Sequence, residues 1–565
     1  MSAPSTILLT DATEIDIRAA RAPKRADLMR LVEPTGLSQI CLQIHRNHAF
    51  ELVGSVLPPF LWAAGMKPIF DYGAYDDSLS FTQLNPFAVQ VVALDFERYG
   101  EYGHRTDFHR WAASRLEALR SKTDAPIVIS DWPSDDDHAQ RFNVELEKTA
   151  EQLPSVLIWK VSEIFAEMRS AFFEGRAARA KGTRLSDRAC VELARNLGLV
   201  RLPSALYPRI KAVVIDLDNT LYDGVLGEDG VAGINITEQH SAVSEQLLRL
   251  REEGVFLAVL SKNDERDFER LCARRLDFLL RREHFSAASI GWQSKPKGLN
   301  HIAEQLRVAT DAILVVDDNA GEIEQIRAAH PKTHLLHARN ATETLFWLRH
   351  YPTLNGYPAN LATKLRVEDL DASRAREELR ASTSSSDYLR EMQIELNYAA
   401  NSIRSRQRLA ELSQKTNQFN TGLQRFSESE VGRRLQASDL FTISISMRDK
   451  FSDSGIIAGI FARTEGECLV IDEICVSCRA LGRNVENPMI ALALAPTIEQ
   501  NRLRNIVFKW REGPRNLPAR MWLESFTGMH DLPGHATVTV AWEQLPQLSQ
   551  HLSAPISSKW EHMSN

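Results

Sequence analysis

Residues 213–230 read VVIDLDNTLYDGVLGEDG, and this stretch decides the fold of the segment that contains it. An apolar run of strand length ends in Asp216 and Asp218, which are one residue apart and are followed by Asn-Thr-Leu. In an open parallel sheet, ligands bind at the carboxyl ends of the strands. The stretch therefore predicts a buried strand that delivers two carboxylates to a site. Aspartates that only cap a helix at a loop entrance would give the same short pattern.

Further strands of the same kind follow in the sequence. From Lys211 to about His350 the apolar runs AVVIDLD, FLAVLS, AILVVDD and THLLHA alternate with segments of helical period, such as GLNHIAEQL and GEIEQIRAA. This alternation predicts a parallel sheet with helices on both faces. A similar series runs from about Ser38 to Leu197. From Ile394 to about Leu548, longer alternating strands around one apolar helix predict an α+β domain instead.

The overall composition excludes several classes of protein. The 565 residues include 67 Lys+Arg and 74 Asp+Glu, a net charge of -7, and the basic residues are dispersed. A nucleic-acid partner is therefore not expected. No apolar run approaches the roughly 20 residues of a membrane span, and the first residues do not resemble a signal peptide. We expect a cytoplasmic protein with no membrane partner, whose six cysteines stay reduced.

Polar side chains stand at the strand ends of the series that begins at Lys211. They are Asp216, Asp218, Thr220, Ser261, Lys262, Asn263, Asp317 and Asp318, with Lys295 before a helix. Converging carboxylates repel one another unless a hard cation such as Mg²⁺ lies among them. A hydroxyl and an ammonium group nearby would complete a cradle for phosphate oxygens. One aspartate would attack phosphorus, and another would transfer the proton of the leaving group.

The ordered set resembles the four-part signature of the haloacid dehalogenase (HAD) superfamily. The segments DLDNTLYDGVLGEDG, LSKND, WQSKPKGLNHIAEQL and VVDDNAGEIEQIR resemble its FkbH-like branch, and so do QKTNQFNTG, RDKFSDSGIIAG and SCRALGRNVE. The resemblance covers essentially the whole chain and is weakest over the first 200 residues. It implies Asp216 as nucleophile and Mg²⁺ ligand, Asp218 as acid/base and ligand, and Asp317 as third ligand. The implied phosphate-binding residues are Thr220, Ser261, Lys262, Asn263 and Lys295, of which Lys295 is also catalytic.

The resemblance also implies an activity. An FkbH-like enzyme takes 1,3-bisphosphoglycerate or a related short acyl phosphate, removes phosphate, and loads the glyceryl unit as a thioester onto an acyl carrier protein in polyketide-type biosynthesis. The short intervals between Asp216, Ser261 and Lys295 leave no room for a large cap domain. A nearly bare site suits an acceptor that is attached to a protein.

The sequence does not decide which thiol carries the acyl unit. Leu260 stands where many FkbH-like sequences have cysteine, so either another cysteine serves, or the carrier's own thiol attacks, or the acyl donor differs. Near the C-terminus, Arg479, Gly482 and Arg483 resemble the loop of GNAT-type acyltransferases that binds the phosphopantetheine arm. Cys478 directly precedes this loop, where a helix start could lower the pKa of the thiol. It is a candidate for the acyl-carrying residue, for a supporting role, or for simple packing.

We therefore predict an α/β protein with a Rossmann-like HAD core, a preceding α/β domain and a C-terminal α+β, GNAT-like domain. The predicted boundaries are 1–205 for a docking or support domain, 206–355 for the catalytic domain, 356–393 for a linker and helix, and 394–565 for the GNAT-like domain. Two other functions stay open: a HAD phosphatase that acts on a small metabolite without a carrier protein, and a non-enzymatic scaffold that binds a carrier protein.

Overall fold

The computed structural model divides the chain into two compact units, residues 1–359 and 360–565. The structure describes residues 23–175, 181–357, 372, 376, 379, 388, 390–416, 418–437, 439–477, 480, 481, 483 and 485–561. Most of the predicted linker, 356–393, lies outside these residues.

The first unit begins with a sheet of five parallel strands in the order β2-β1-β3-β4-β5. The strands are β1 Ser38–Arg46, β2 Met66–Tyr75, β3 Val89–Ala93, β4 Ile127–Ser130 and β5 Val156–Trp159. The helices are α1 Phe108–Lys122, α2 Asp137–Gln152, α3 Val161–Met168 and α4 Asp187–Asn196, with short helices at Arg25–Leu28, Glu51–Gly54, Pro58–Ala63, Gly100–Gly103 and Leu202–Leu206. Every residue of β3 and β4 is buried, as expected for parallel strands covered on both faces.

A second sheet of five parallel strands follows in the order β10-β9-β6-β7-β8. The strands are β6 Ala212–Ile215, β7 Phe256–Ser261, β8 Ala287–Ile290, β9 Ile313–Asp317 and β10 His334–His337. The helices are α5 Leu226–Gly233, α6 Glu238–Glu252, α7 Glu265–Arg274, α8 Lys295–Leu306, α9 Ala320–Ala329 and α10 Ala341–His350. The two sheets of this unit share one hydrophobic core, which includes Ile44 and Val91 of the first and Val213 and Ile215 of the second.

The second unit contains a mixed sheet of seven strands in the order β16-β15-β14-β13-β12-β11-β17. The strands are β11 Glu395–Ala400, β12 Leu440–Arg448, β13 Asp453–Glu465, β14 Cys468–Val476, β15 Asn505–Arg511, β16 His535–Ala541 and β17 Ser557–Trp560. The helices are α11 Arg406–Lys415, α12 Glu428–Gln436, α13 Glu486–Gln500 and α14 Leu517–Thr527, with a short helix at Leu548–Leu552.

The parallel strands β14 and β15 diverge within this sheet. Their pairing runs from Cys468 opposite Asn505 to Ile471 opposite Phe508 and ends there. Beyond that point a loop segment bridges them: the carbonyl oxygen of Thr421 accepts a hydrogen bond of 2.8 Å from the backbone N–H of Arg511, while its own N–H donates to Ile474.

The predicted fold class, two parallel α/β sheets followed by an α+β domain, is confirmed. In the part of the chain that the structure describes, no helix combines the length and the apolar character needed to cross a membrane.

Candidate active site

Three side chains meet at the carboxyl edge of the second sheet. Asp216 directly follows β6, and Asp317 is the last residue of β9. Because Ile215 of β6 pairs with Val316 of β9, the two aspartates leave neighbouring strands side by side. Lys295 is the first residue of α8, the helix that follows β8. Strand ends and a helix start therefore position all three groups.

Lys295 forms two buried ion pairs. Its Nζ lies 3.2 Å from Oδ2 of Asp216 and also pairs with Oδ2 of Asp317. Only 3% of the lysine is exposed. Burial alone would lower the pKa of Lys295, but the charges of Asp216 and Asp317 outweigh it and raise the pKa above its usual value. The lysine is therefore held as a cation that offsets carboxylate charge.

Asp216, Asp317 and Asp318 form a carboxylate cluster, in which one oxygen from each residue lies within 4.8 Å of the others. Burial raises the pKa of Asp216 to about 6; the charge of Lys295 opposes this rise, and that of Asp317 adds to it. Burial also raises the pKa values of Asp317 and Asp318. One lysine does not balance three carboxylates, so the cluster carries an excess of negative charge in a poorly solvated place.

The carboxylate cluster fits a divalent cation. Oδ1 of Asp216 and Oγ1 of Thr220 are buried and have no hydrogen-bond partner among the described residues. A buried acceptor without a partner is costly, and a hard cation with oxygen ligands, such as Mg²⁺, would satisfy it. Asp216, Asp317 and Asp318 are the residues that would hold the ion.

The structure places Asp318 in the cluster with Asp216 and Asp317, although Asp318 was not among the ligands predicted from sequence. Within a strand, successive side chains point to opposite faces of the sheet. β9 ends at Asp317, so this alternation no longer applies to Asp318, and both aspartates face the cluster. The two adjacent aspartates in the sequence, Asp317 and Asp318, were the signal from which this arrangement could have been predicted. Asp218, predicted as a ligand, lies outside the cluster, and that role stays a prediction.

Asp218 is instead held by three hydrogen bonds. Its Oδ1 accepts from the Tyr222 hydroxyl at 2.8 Å and from the Leu226 backbone N–H at 3.0 Å. Its Oδ2 accepts from Nδ2 of Asn263 at 3.0 Å. These contacts fix the carboxylate in one orientation, and its predicted acid/base role stays a prediction.

The residues at the end of β7 make contacts in two different places. Ser261 is buried, and its Oγ accepts a hydrogen bond of 3.0 Å from Nδ2 of Asn263, which thereby links Ser261 to Asp218. Lys262 forms an ion pair with Glu322 of α9. The structure therefore brings Ser261 and Asn263 to the site and directs Lys262 to a neighbouring helix. Their predicted roles in binding phosphate stay predictions.

The position of Lys295 depends on a close contact one helical turn away. A Cβ atom added to Gly298 would lie 2.5 Å from Cδ1 of Leu260 and 2.7 Å from Oγ of Ser289. Glycine therefore lets α8 pack directly on β7 and β8. Leu260 is buried in this contact and offers no thiol.

Three cysteines in the described helices and strands are buried, and burial makes each of them a poor nucleophile. Burial raises the pKa values of Cys190 and Cys272 to about 11 and raises that of Cys475 further. A thiol with such a pKa is scarcely ionised at neutral pH. Cys478, the candidate from sequence, lies outside the described residues.

The C-terminal loop predicted to bind pantetheine is described only in part. Arg479 and Gly482 lie outside the described residues. Arg483 is buried, and its guanidinium lies 2.9 Å from Oδ2 of Asp449 and 3.2 Å from Oγ of Ser454. The carboxylate that faces Arg483 also pairs with Arg376, and the predicted contact of Arg483 with a pantetheine phosphate stays a prediction.

Sequence reasoning missed a buried carboxylate in the second unit. Glu473 of β14 accepts hydrogen bonds from the backbone N–H groups of Thr421, Gly422 and Gln424 at 2.7, 3.1 and 2.6 Å. Burial nevertheless raises the pKa of Glu473 to about 7. Glu473 therefore fixes the loop segment that bridges β14 and β15.

Solved structures similar to parts of the chain include a phosphatase-domain protein and an acetyltransferase. The N-terminal part of a Bacteroides fragilis protein, which contains a phosphatase domain and is complexed with Mg, matches 60% of this chain and 99% of its own, with 18% identity and a TM-score of 0.45. The PaiA N-acetyltransferase of Thermoplasma acidophilum, in complex with coenzyme A, matches 26% of this chain and 99% of its own, with 11% identity and a TM-score of 0.19. No protein-family model and no curated protein matches the chain.

Proposed function

We propose that the protein is a Mg²⁺-dependent phosphatase of the HAD type. The observation that carries this proposal is the environment of Asp216. One carboxylate oxygen lies 3.2 Å from Nζ of Lys295, and the other is buried without a partner among the described residues, beside Asp317 and Asp318. A buried carboxylate between a fixed ammonium and a cation site is suited to attack phosphorus.

The side chains divide the reaction between them. An oxygen of Asp216 forms a bond to phosphorus while the bond from phosphorus to the leaving oxygen breaks, and Asp218 gives that oxygen a proton. Asp218 then takes a proton from the water that hydrolyses the aspartyl phosphate, which releases inorganic phosphate and restores Asp216. Lys295 offsets negative charge throughout. Bound Mg²⁺ would supply further neutralisation of phosphate charge.

We further propose that the substrate is a short acyl phosphate such as 1,3-bisphosphoglycerate, and that the acyl unit passes to the phosphopantetheine thiol of an acyl carrier protein. The resemblance to FkbH-like sequences supports this step. The segment between β6 and β7, all of it described, holds only α5 and α6 and no further domain, which leaves access for a macromolecular acceptor.

The two phosphates of such a substrate need different chemistry. A thiolate attacks the carbonyl carbon, the bond from that carbon to the phosphate oxygen breaks, and phosphate leaves as an anion. The second phosphate is an ester, whose poorer leaving group requires Asp216 and a proton from Asp218.

The test uses the full-length protein with Mg²⁺, 1,3-bisphosphoglycerate and a phosphopantetheinylated carrier, followed by intact mass spectrometry of the carrier. We expect a glyceryl adduct. The Asp216→Asn variant should give a phosphoglyceryl adduct or none, while the control Asp223→Asn, on an exposed side chain nearby, should behave like the wild type.

The outcomes separate the alternatives. Phosphate release that does not depend on the carrier, without an adduct, would support a phosphatase that acts on a small metabolite. Neither release nor adduct with any carrier, in wild type and Asp216→Asn alike, would contradict the enzymatic proposal.

A further inference from the structure

Tyr222 is a buried side chain that donates a hydrogen bond to Asp218. Its hydroxyl lies 2.8 Å from Oδ1 of Asp218, and the two residues also form a backbone bridge across the turn between them. The ring is 0% exposed and packs against Phe278, with ring centroids 6.3 Å apart. Burial and the charge of Asp218 raise the pKa of Tyr222 far above its ordinary value. The hydroxyl therefore keeps its proton and stays a donor to the carboxylate.

The two oxygens of Asp218 differ in the number of hydrogen bonds that they accept. Oδ1 accepts from Tyr222 and from the Leu226 backbone N–H, at 2.8 and 3.0 Å. Among the described residues, Oδ2 accepts from Asn263 alone, at 3.0 Å. A carboxylate oxygen has two lone pairs, so both are used at Oδ1 and one is left at Oδ2. A proton can therefore bind at Oδ2 without displacing a donor.

Asn263 holds the second oxygen of the carboxylate. It is 4% exposed, and its Nδ2 donates to Oδ2 of Asp218 and to Oγ of Ser261, each at 3.0 Å. A side-chain amide nitrogen has two hydrogens, and these two bonds use both. This arrangement favours an orienting role of Asn263 over the phosphate-binding role predicted from sequence.

We propose that Tyr222 and Asn263 are positioning residues for proton transfer by Asp218, and that Oδ2 is the oxygen that carries the proton. The inference rests on the proposed phosphatase function. As the bond from phosphorus to the leaving oxygen breaks, the proton on Oδ2 passes to that oxygen. In the second step Oδ2 takes a proton from the water whose oxygen bonds to phosphorus. Tyr222 and Asn263 hold the carboxylate in place for both transfers, which depend on its geometry.

The test compares two substrates that differ in their need for a proton. 3-Phosphoglycerate has an alkoxide leaving group, which must be protonated as it departs, whereas 2,4-dinitrophenyl phosphate releases a stable phenolate. The measured quantity is kcat/KM of the full-length protein with Mg²⁺, because it reports the steps up to formation of the aspartyl phosphate. Tyr222→Phe keeps the ring and removes the hydroxyl. It should lower kcat/KM about tenfold for 3-phosphoglycerate and less than about twofold for the dinitrophenyl ester.

Tyr351→Phe is the matched control. Tyr351 is also 0% exposed, and its hydroxyl donates to the backbone carbonyl of Leu335 in β10, at 3.4 Å, rather than to a side chain of the site. The control should leave both rates unchanged. Thermal unfolding would establish that each variant is folded.

Asn263→Ala separates an orienting role from phosphate binding. Loss of orientation should lower the rate on 3-phosphoglycerate selectively and leave inhibition by inorganic phosphate unchanged. A loss on both substrates together with weaker inhibition by phosphate would overturn the role assigned to Asn263.

The outcomes for Tyr222→Phe distinguish this inference from the function on which it rests. Equal losses on the two substrates, or no loss on either, would overturn the inference and leave the proposed phosphatase function standing. Absence of phosphate release from both substrates by the wild type would contradict the proposed function and the inference with it.

Discussion

The Nζ atom of Lys295 lies 3.2 Å from Oδ2 of Asp216 and pairs at the same time with Asp317. The lysine therefore holds together two buried carboxylates that would otherwise repel one another. The stability of the first unit and the readiness of the site for a cation both depend on this arrangement.

Replacing Lys295 by methionine should destabilise the protein. The substitution keeps much of the side-chain volume but leaves two buried carboxylates without their counter-ion, a type of loss that costs about 3–5 kcal/mol. We expect a lower urea midpoint in metal-free buffer, loss of phosphate release, and partial recovery of stability when Mg²⁺ is added. Lys297→Met, at an exposed position of the same helix, is the control. Equal losses in the two variants would contradict a specific role of Lys295.

Binding of Mg²⁺ should weaken in acid. Burial raises the pKa of Asp216 to about 6, above its ordinary value of 3.8, so the folded, metal-free chain keeps a proton that the unfolded chain loses over this interval. The stability that this group contributes is thus present below about pH 4 and is lost as the pH rises through about 6. A cation has to displace the same proton.

The thermal stabilisation by Mg²⁺ should therefore be smaller at about pH 5 than at about pH 7.5. Differential scanning calorimetry of the full-length protein measures this difference. Asp216→Asn should remove both the stabilisation and its pH dependence. A stabilisation that is the same at both pH values would argue against Asp216 as a ligand.

Cys478→Ala should abolish any covalent acyl adduct of the enzyme. Cys190, Cys272 and Cys475 are buried thiols with raised pKa values, burial also raises the pKa of Cys41, and Cys478 is the candidate from sequence. Intact mass spectrometry after incubation with the acyl phosphate measures the adduct. Cys468→Ala, at a half-buried position of β14, is the control and should keep it. An adduct that survives in Cys478→Ala would move the role to another cysteine.

Glu473→Gln should loosen the loop that bridges β14 and β15. The amide nitrogen of glutamine cannot accept a hydrogen bond, so at least one buried backbone N–H loses its partner, at a cost of about 1–3 kcal/mol. We expect faster hydrogen exchange in peptides that cover residues 418–426 of the full-length protein. Glu467→Gln, at an exposed position before β14, should leave the exchange unchanged. Unchanged exchange in Glu473→Gln would show that the three N–H groups do not depend on this carboxylate.

The strand-end positions of Asp216, Ser261 and Asp317 could be predicted from sequence, because short apolar runs that alternate with helices imply parallel strands that end at one edge. The place of Asp318 in the carboxylate cluster could not, since the direction of a side chain is no longer set by alternation once the strand has ended. The pairing of Arg483 with Asp449 could not be predicted from sequence either, because tertiary packing brings together two positions that are 34 residues apart.

The close packing of Gly298 against Leu260 influences the electrostatic interaction between Lys295 and the carboxylates. A side chain at Gly298 would clash with the side chains of Leu260 and Ser289, and where these do not yield it would push α8 away from β7 and carry Lys295, one helical turn earlier, away from Asp216. The attraction between the two charges falls as they separate, so an uncharged substitution would act like a partial loss of the lysine. A residue with no functional group thus acts as the spacer that sets the electrostatic strength of the site.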